Sequence, residues 1–203
     1  MYDVIVIGGG AAGMMAAVIC SKGGKKTALI EKNEKLGKKL YITGKGRCNI
    51  TNNCDKDKLS AGIISNPKFL YSAFSAFNNN DMMEFLTSNG LDIEVEQGDR
   101  VFPKSGKSSD VIKFFVNLLN RYGVEVMLNM EVKAVSVDNS EVTGISIGKD
   151  KLINAKSVII ATGGVSYPLT GSTGDGYTFA SDTGHDIVKP YPALVSMKAA
   201  EKS

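Results

Sequence analysis

The chain contains one histidine, His185, and three cysteines, Cys20, Cys48 and Cys54. No group of His, Cys, Asp or Glu residues has the spacing of metal ligands, so the sequence predicts no metal site. An odd number of cysteines without a regular framework is typical of a reducing, cytosolic compartment. His185 follows a predicted helix, where a turn or capping role outweighs general acid–base chemistry.

The sequence also lacks the features of membrane proteins and of nucleic-acid-binding proteins. No apolar run approaches the roughly 20 residues that a membrane-spanning helix requires, and the N-terminus has no basic segment typical of a signal peptide. The 24 basic and 21 acidic residues leave a net charge of +3, which is too balanced to indicate a nucleic-acid partner. We therefore expect a cytoplasmic protein without a membrane or nucleic-acid partner.

The most informative pattern in the chain lies near its N-terminus. Residues 4–7 are a continuous apolar run, as expected for a strand of a parallel sheet that is covered on both faces. Gly8, Gly10 and Gly13 follow as G-x-G-x-x-G, and a helix is predicted over residues 11–21. These glycines provide a tight turn, room for a pyrophosphate and close packing of helix on strand. Free N–H groups at the start of the helix attract the phosphates.

Glu31 completes this predicted site. Residues 27–30 form a second predicted strand, and Glu31 follows it, 18 residues after Gly13. This spacing is close to the ~20 residues expected of the carboxylate that binds ribose hydroxyls. Strand, glycines, helix, strand and acid in this order predict a dinucleotide-binding βαβ unit.

The next residues depart from the pattern of a nicotinamide-binding domain, which would soon begin another helix. Residues 32–54 are rich in Gly, Lys, Asn and Thr and have no apolar period, so we predict an extended segment that lies over a ligand. Residues 32–47 contain six basic residues and one acid. A solvated basic loop is the alternative, but Gly44 and Gly46 beside Arg47 favour close approach of the backbone to an anionic cofactor.

The middle of the chain predicts helices with turns between them. Amphipathic helices are expected at residues 67–77, 81–88 and 109–122, with a short strand at 91–95 and a turn-rich link at 100–105. The aromatic residues of the first two helices recur at helical spacing, so we expect them to pack in the core. They are Phe69, Tyr71, Phe74, Phe77 and Phe85.

From residue 124 the apolar period changes to two, which predicts an antiparallel meander. Its strands are expected at residues 124–128, 131–137, 142–147 and 152–155. A buried strand at 157–161 ends in small residues, which suggests that the sheet meets the cofactor again there. A further helix is predicted at residues 177–183.

The predicted fold class is α/β, a Rossmann-like domain with a parallel sheet, an antiparallel β-meander and a helical insertion. The strands assigned to its parallel core are those at residues 4–7, 27–30, 124–128 and 157–161. This domain is expected to occupy residues 1–190. A strand is predicted to begin at residues 192–197, which suggests that residues 191–203 start a second, substrate-binding domain. The chain therefore resembles the first part of a larger architecture.

The whole chain resembles the BaiN/YhiN-type flavoproteins, one branch of the FAD-dependent oxidoreductases that is distantly related to fumarate reductase and succinate dehydrogenase flavoprotein subunits. The Gly-Arg-Cys-Asn box at residues 46–49 and the Gly-Lys-Lys before it are specific to this branch. The stretches that carry the resemblance are DVIVIGGGAAGMMAA, EKNEKLGKKLYITGKGRCNITN, DRVFPKSGKSSDV, ATGGVSYPLTGSTGDGYTFA and GHDIVKPYPALV.

This resemblance implies that FAD is the resident dinucleotide and that NAD(P)H is the co-substrate, with a small organic molecule as substrate. It implies that residues 38–49 run along the pyrophosphate and isoalloxazine, and that the backbone near Val132 meets the adenine. Asp175 either accepts hydrogen bonds from the cofactor or caps the following helix. No catalytic residue is identified. The candidate cofactor-binding residues are Gly8, Gly10, Ala11, Ala12, Gly13, Glu31, Lys32, Lys38, Lys39, Thr43, Gly44, Gly46, Arg47, Cys48, Asn49, Val132, Ala161, Thr162, Gly163 and Asp175.

Other functions fit parts of the sequence. Cys48 and Cys54 suggest a flavin disulfide reductase, but the five residues between them are one more than that class has, and a redox pair must reach both its partner and the flavin. Cys48, beside Arg47, could have a thiol with a lowered pKa, but a packing or backbone-contact role is favoured. The basic residues 32–47 suggest a flavoprotein that acts on RNA, although phosphate binding explains their charge more simply.

The remaining alternative is a cofactor-binding fragment without turnover of its own. The resemblance implies that a full family member continues with a substrate domain and a glycine-rich closing motif. A chain without them is expected to hold FAD weakly, because part of the flavin site would be missing. Such a chain is also expected to associate through apolar residues that lack partners, namely Ala193, Leu194 and Val195.

Overall fold

The chain forms a mixed α/β structure, described for residues 1–148 and 151–192 in a computed structural model. The strands are β1 (Tyr2–Ile7), β2 (Thr27–Ile30), β3 (Thr51–Asn52), β4 (Ile93–Glu96), β5 (Arg100–Pro103), β6 (Glu125–Met127), β7 (Val132–Asp138), β8 (Glu141–Ile147) and β9 (Lys151–Ile160). The helices are α1 (Ala11–Lys22), α2 (Lys38–Ile42), α3 (Lys56–Ala61), α4 (Tyr71–Ala76), α5 (Asn79–Ser88), α6 (Ser108–Arg121) and α7 (Asp175–Asp182), with short 3-10 turns at Thr43–Gly46, Pro67–Leu70 and Pro168–Thr170. Within these two ranges, no helix combines the length and the apolar character needed to cross a bilayer.

A six-stranded sheet in the order β6-β2-β1-β9-β8-β7 forms the centre of the fold. The first four of these strands are parallel to one another, and β8 and β7 continue the sheet in antiparallel pairing. Every residue of β2 and residues 4–7 of β1 are buried, which explains their continuous apolar runs. The predicted α/β fold class with a parallel sheet and a meander is therefore confirmed.

Strand β9 differs from the prediction of two separate strands at residues 152–155 and 157–161. It is one continuous strand of ten residues. Its first half pairs antiparallel with β8, where Lys151 lies opposite Ile147, and its second half pairs parallel with β1, where Ile160 lies opposite Ile7. The apolar pattern changes along the strand because the neighbouring strand changes, although no turn intervenes.

Strand β6 belongs to the parallel part of the sheet and takes no part in the meander. Its residues pair with β2, with Glu125 opposite Ala28. The antiparallel meander therefore consists of β7, β8 and the first half of β9.

Two apolar clusters cover the two faces of the parallel strands, because alternate residues of a strand point to opposite faces. One cluster joins Val6 and Leu29 to helices α1, α5 and α6. The other joins Ile5 and Ile30 to apolar residues of β7, β8 and β9 and to Phe179 of α7. Helix α6 packs against α1 through its long apolar face, formed by Val111, Phe114, Phe115, Leu118 and Leu119.

The insertion between β2 and α6 contains more regular structure than the sequence predicts. Residues 100–105 are not a simple link, because β5 pairs with β3 and β4 in a three-stranded antiparallel sheet. Residues 32–54 are not fully extended, since they form α2, a 3-10 turn and β3. Helix α2 has only five residues, too few to show an apolar period.

The aromatic residues of this insertion are only partly in the core. Phe85 packs edge-on against Phe114 of α6, with ring centroids 6.1 Å apart. The side chains of Phe69, Tyr71 and Phe77 are instead 79%, 69% and 39% exposed, so the expectation that these three pack in the core is wrong. Residues 193–197 of the strand predicted at 192–197, which include the apolar residues 193–195, lie outside the described ranges.

The close pairing of β8 with β9 provides a test of the sheet. A Cβ atom added at Gly144 would lie 2.1 Å from the carbonyl oxygen of Ile153, so we expect Gly144→Ala to lower the free energy of unfolding by about 1–3 kcal/mol. Ser146→Ala, on the same strand, is the control and should change it much less. Equal urea midpoints for the two variants would show that β8 and β9 do not pair as described.

Candidate functional site

A cavity of about 500 Å³ lies at the carboxyl ends of β1, β2 and β9. This is the edge at which open α/β sheets bind their ligands, and the volume is within the range of about 300–1,000 Å³ for small-molecule sites. Its lining consists of Ile7, Gly8, Gly9, Gly10, Ala11, Ala12, Ile30, Glu31, Lys32, Asn33, Lys38, Lys39, Leu40, Thr43, Met130, Glu131, Val132, Ile160, Ala161, Thr162, Gly163, Thr170, Gly171, Ser172, Asp175 and Phe179.

The three glycines of the turn after β1 have different surroundings. Gly8 has a φ of +105°, and a Cβ there would lie 2.5 Å from the carbonyl oxygen of Ala161. A Cβ at Gly13 would lie 1.8 Å from the carbonyl oxygen of Gly8. At Gly10, by contrast, a Cβ would meet nothing within 4 Å. Gly8 and Gly13 therefore allow helix and strands to approach closely, while Gly10 leaves free space inside the cavity.

Helix α1 begins at this free space with its N-terminal N–H groups available. No side chain caps the helix, and its first turn contains no acidic residue. An uncapped helix N-terminus favours an anion. The turn therefore has both the room and the donors for a phosphate group of a ligand.

Glu31 is held in one orientation at the end of β2. Its side chain is buried, and Oε2 accepts a hydrogen bond of 2.6 Å from the N–H of Gly9. Oε1 accepts hydrogen bonds of 2.8 Å from the N–H of Asn33 and 2.6 Å from its Nδ2. A carboxylate has about four acceptor positions, so the protein leaves Glu31 with capacity for a ligand hydroxyl.

Lys32 and Asp175 connect two walls of the cavity. The ammonium of Lys32 lies 2.7 Å from Asp175 Oδ2 and donates a hydrogen bond of 2.6 Å to Thr173. Burial alone would raise the pKa of Asp175, but the hydrogen bonds from Lys32 and Thr173 lower it overall. The side chain of Asp175 does not cap α7, whose N-cap is Gly174. Of the two roles considered for Asp175, capping is therefore excluded.

Six of the candidate cofactor-binding residues do not line the cavity. They are Gly13, Gly44, Gly46, Arg47, Cys48 and Asn49, and their contacts with a cofactor stay predictions. The other candidates do line it, but a contact of each with a cofactor also remains a prediction.

Arg47 is engaged with the protein and does not face the cavity. Its guanidinium forms a bidentate pair with Glu96 and lies 4.4 Å from the centre of the Phe102 ring. These contacts connect the turn at Thr43–Gly46 to β4 and β5. The charge of Arg47 is thus largely compensated by a neighbour.

Cys48 has the environment of a packing residue. It is 1% exposed, and burial raises the pKa of its thiol, whereas reactive thiols have a lowered pKa. Of the two roles considered for Cys48, the structure supports packing.

The sequence did not identify several residues of the cavity wall. Gly9 and Asn33 are the donors that hold Glu31. Gly171 and Ser172 belong to the glycine-rich stretch before Asp175, and this local glycine density was a usable signal. Thr162 was a candidate, but its buried hydroxyl proves to have no hydrogen-bond partner among the described residues. The other missed lining residues are Ile7, Ile30, Leu40, Met130, Glu131, Ile160, Thr170 and Phe179.

The cavity wall supplies groups for binding. Among residues 1–148 and 151–192, no three His, Cys, Asp or Glu side chains are grouped so that they could hold a metal ion. His185 is exposed, and it does not line the cavity. The arrangement of N–H groups, cations and one buried carboxylate fits an anionic ligand that also carries hydroxyl groups.

The cysteines allow a test of the disulfide-reductase alternative. Cys48 and Cys54 are buried and free, so we expect three thiols per denatured chain both before and after treatment with dithionite. Two additional thiols after dithionite treatment would show that these cysteines form a redox-active disulfide. Thiol titration in denaturant measures both states.

The sequence of this chain is similar to those of known proteins. A family model described as the HI0933-like protein Rossmann domain matches residues 2–201. The 3-dehydro-bile acid delta(4,6)-reductase of Clostridium scindens is 32% identical over 201 residues, which are 98% of this chain and 48% of that protein. The ribosomal RNA dihydrouridine synthase of Haemophilus influenzae is 29% identical over 194 residues, which are 94% of this chain and 47% of that protein. The chain thus spans about half the length of these relatives.

Solved structures share the fold. An open conformation of a flavocytochrome c3 fumarate reductase superposes with a TM-score of 0.67 at 23% identity, covering 91% of this chain and 41% of that one. The family match extends over nearly the whole sequence and confirms the family resemblance carried by the glycine turn and the Gly-Arg-Cys-Asn box. The chain belongs to the HI0933-like Rossmann-domain family.

Proposed function

We propose that this chain is the FAD-binding part of a flavin-dependent oxidoreductase and that the cavity at the ends of β1, β2 and β9 holds the cofactor. The observation that carries the proposal is the free space at Gly10, which lies at the uncapped start of α1. Glu31, fixed at the end of the neighbouring strand, provides the acceptor for ribose hydroxyls. Together they match the diphosphate and the ribose of an ADP group.

FAD fits the site better than NAD because of the residues after β2. Lys38, Lys39 and Thr43 line the cavity, which means that α2 and the turn after it extend the site past the βαβ unit. A nicotinamide-binding domain would be expected to lead away from the ligand at this point. The similarity to a flavocytochrome fold supports the same choice.

The residues of this chain would bind and orient the cofactor. When bound, FAD would carry two electrons from NAD(P)H to a small organic substrate. Glu31 would accept hydrogen bonds from the ribose, the N–H groups of α1 would bind the phosphates, and Val132 would lie beside the adenine. The Lys32–Asp175 pair would keep the two walls of the cavity together around the ligand.

The names of the relatives suggest a reaction class for the whole protein. One describes reduction of the double bonds of a 3-oxo bile acid, and the other describes formation of dihydrouridine. In both, a carbon–carbon double bond conjugated to a carbonyl group takes up two hydrogens. We propose that the whole protein reduces a double bond of this kind.

RNA is the second candidate substrate, favoured by the name of the dihydrouridine synthase and by the basic residues 32–47. The structure weakens the argument from charge. Lys32, Lys38 and Arg47 are paired with Asp175, Glu34 and Glu96 respectively. Half of the basic residues of this segment are therefore compensated within the protein, so a small-molecule substrate remains the first candidate.

The free space at Gly10 gives a direct test of FAD binding. Gly10 has a φ of −80°, so alanine fits there without strain, but its methyl group would occupy the room proposed for a phosphate. We expect Gly10→Ala to weaken FAD binding at least about tenfold while the thermal unfolding of the unliganded chain stays unchanged. Fluorescence titration with FAD measures the affinity.

Gln97 is exposed and does not line the cavity, so Gln97→Ala is the control variant. That control should bind FAD like the wild type. If Gly10→Ala also binds FAD with the wild-type affinity, the cofactor does not approach the turn and the proposal fails.

A further inference from the structure

The turn between α2 and β3 has an uncommon backbone conformation. Four of the five residues 44–48 have a positive φ, in the left-handed region that residues with a Cβ atom rarely adopt. They are Gly44 (+55°), Lys45 (+56°), Gly46 (+83°) and Cys48 (+61°). A non-glycine residue stays in this region only where surrounding contacts over-determine its conformation. The turn therefore depends on contacts with other parts of the chain.

The contacts that hold the turn converge on Phe102 of β5. A Cβ atom added at Gly44 would lie 3.3 Å from Cε1 of Phe102, so the backbone of the turn packs directly on that ring. The guanidinium of Arg47 lies 4.4 Å from the centre of the same ring, within the range of a cation–π contact. Phe102 itself is buried. It thus provides one fixed surface for the backbone of the turn and for the side chain of Arg47.

Glu96 of β4 sets the orientation of Arg47. Nη1 of Arg47 donates a hydrogen bond of 3.2 Å to Oε2 of Glu96, and Nη2 donates a second one to Oε1. A bidentate pair has a defined geometry that a lysine does not reproduce. Glu94 is a more distant neighbour, with its Oε1 3.8 Å from Nη2. Both strands of the β4–β5 hairpin therefore hold Arg47.

Thr43 connects this turn to the cavity. It belongs to the cavity lining, whereas Arg47 and Glu96 lie outside that lining. The carbonyl oxygen of Thr43 accepts a hydrogen bond of 3.0 Å from the N–H of Cys48, and that of Gly44 accepts one of 3.1 Å from the N–H of Arg47. The place of Thr43 in the cavity wall thus depends on where Arg47 and Cys48 are held.

We propose that Arg47 is a positioning residue, which acts through Glu96 and Phe102 to hold the turn and, with it, Thr43 in the cavity wall. The proposal rests on the proposed FAD-binding function of the cavity. It gives the β4–β5 hairpin an effect on the affinity for the cofactor without a contact to it. The βαβ unit at residues 4–31 is expected to bind the ADP group, and Thr43 lies past this unit. The turn should therefore matter for FAD and not for ADP.

Calorimetric titration of the 203-residue chain with FAD and with ADP tests this role. We expect Arg47→Gln and Glu96→Gln each to weaken FAD binding about fivefold and to leave the affinity for ADP unchanged. The double variant should bind FAD about as weakly as either single variant, because both substitutions break the same contact. Arg47→Lys keeps the charge but cannot form the bidentate pair, so it should also weaken FAD binding.

Hydrogen exchange of the unliganded chain reports on the turn itself. The amides of Arg47 and Cys48, whose hydrogen bonds close the turn, should exchange faster in Arg47→Gln and in Glu96→Gln. Lys58→Gln is the matched control, because Lys58 forms an ion pair of 3.0 Å with Asp99 in the same insertion and lies outside the cavity wall. It should change neither the FAD affinity nor the exchange of these two amides. Thermal unfolding without ligand checks that each variant is folded.

The outcomes separate this role from the proposed function. If Arg47→Gln weakens FAD binding and Glu96→Gln does not, Arg47 contacts the cofactor directly and the positioning role is overturned. Wild-type FAD affinity in both variants, equal losses of FAD and ADP binding, or unchanged exchange of the two amides would also overturn it. In each of these cases the wild-type chain binds FAD and the proposed function stands. A wild-type chain that binds neither FAD nor ADP overturns both.

Discussion

The close approach of the glycine turn to the end of β9 is the constraint on which the candidate site depends. No side chain fits between Gly8 and the carbonyl of Ala161, so the ends of the two strands lie side by side. Because β1 and β9 pair in parallel from Tyr2 to Ile7, residues 161–163 are brought to the start of α1. The same strand β9 carries the meander through its first half. The position of Val132 in the cavity wall thus depends on the same pairing.

Charge pairing orders the rest of the cavity. Lys32, Lys38 and Arg47 each bind a carboxylate from the same or a distant part of the chain, and these pairs connect segments that would otherwise be independent. Ion pairs that are half exposed contribute little to stability, so their main effect is to fix positions. What remains for a ligand is the free space at Gly10, the spare acceptor capacity of Glu31, and the polar groups of Lys39, Thr162 and Ser172, which have no partner in the part of the chain that the structure describes.

The βαβ unit could be predicted from the sequence because its signals are local. The apolar run, the glycine spacing and the acid after β2 all lie within residues 4–31. Each of them follows from contacts between residues that are close in the sequence. The continuity of β9 could not be predicted, because its two halves have different neighbours and therefore different apolar patterns. Helix α2 was missed because five residues are too few for a periodic signal.

Contacts between distant residues explain the other differences. The pairing of Arg47 with Glu96 joins residues 49 positions apart, and no local pattern reveals it. The free charge of Lys39 likewise follows only from the structure, since Lys32, Lys38 and Lys39 look alike in the sequence. Ser172 had the clearest local signal among the missed residues, because it lies in a glycine-rich stretch three positions before the candidate Asp175.

The central claim is that the cavity is built for FAD and that Glu31 binds its ribose. Titration of the wild-type chain and of Glu31→Gln with FAD and with NAD tests both parts in one experiment. The account predicts that the wild type binds FAD more tightly than NAD and that Glu31→Gln loses roughly 1–3 kcal/mol of the FAD binding free energy. Tighter binding of NAD, or an unchanged FAD affinity in Glu31→Gln, would contradict it.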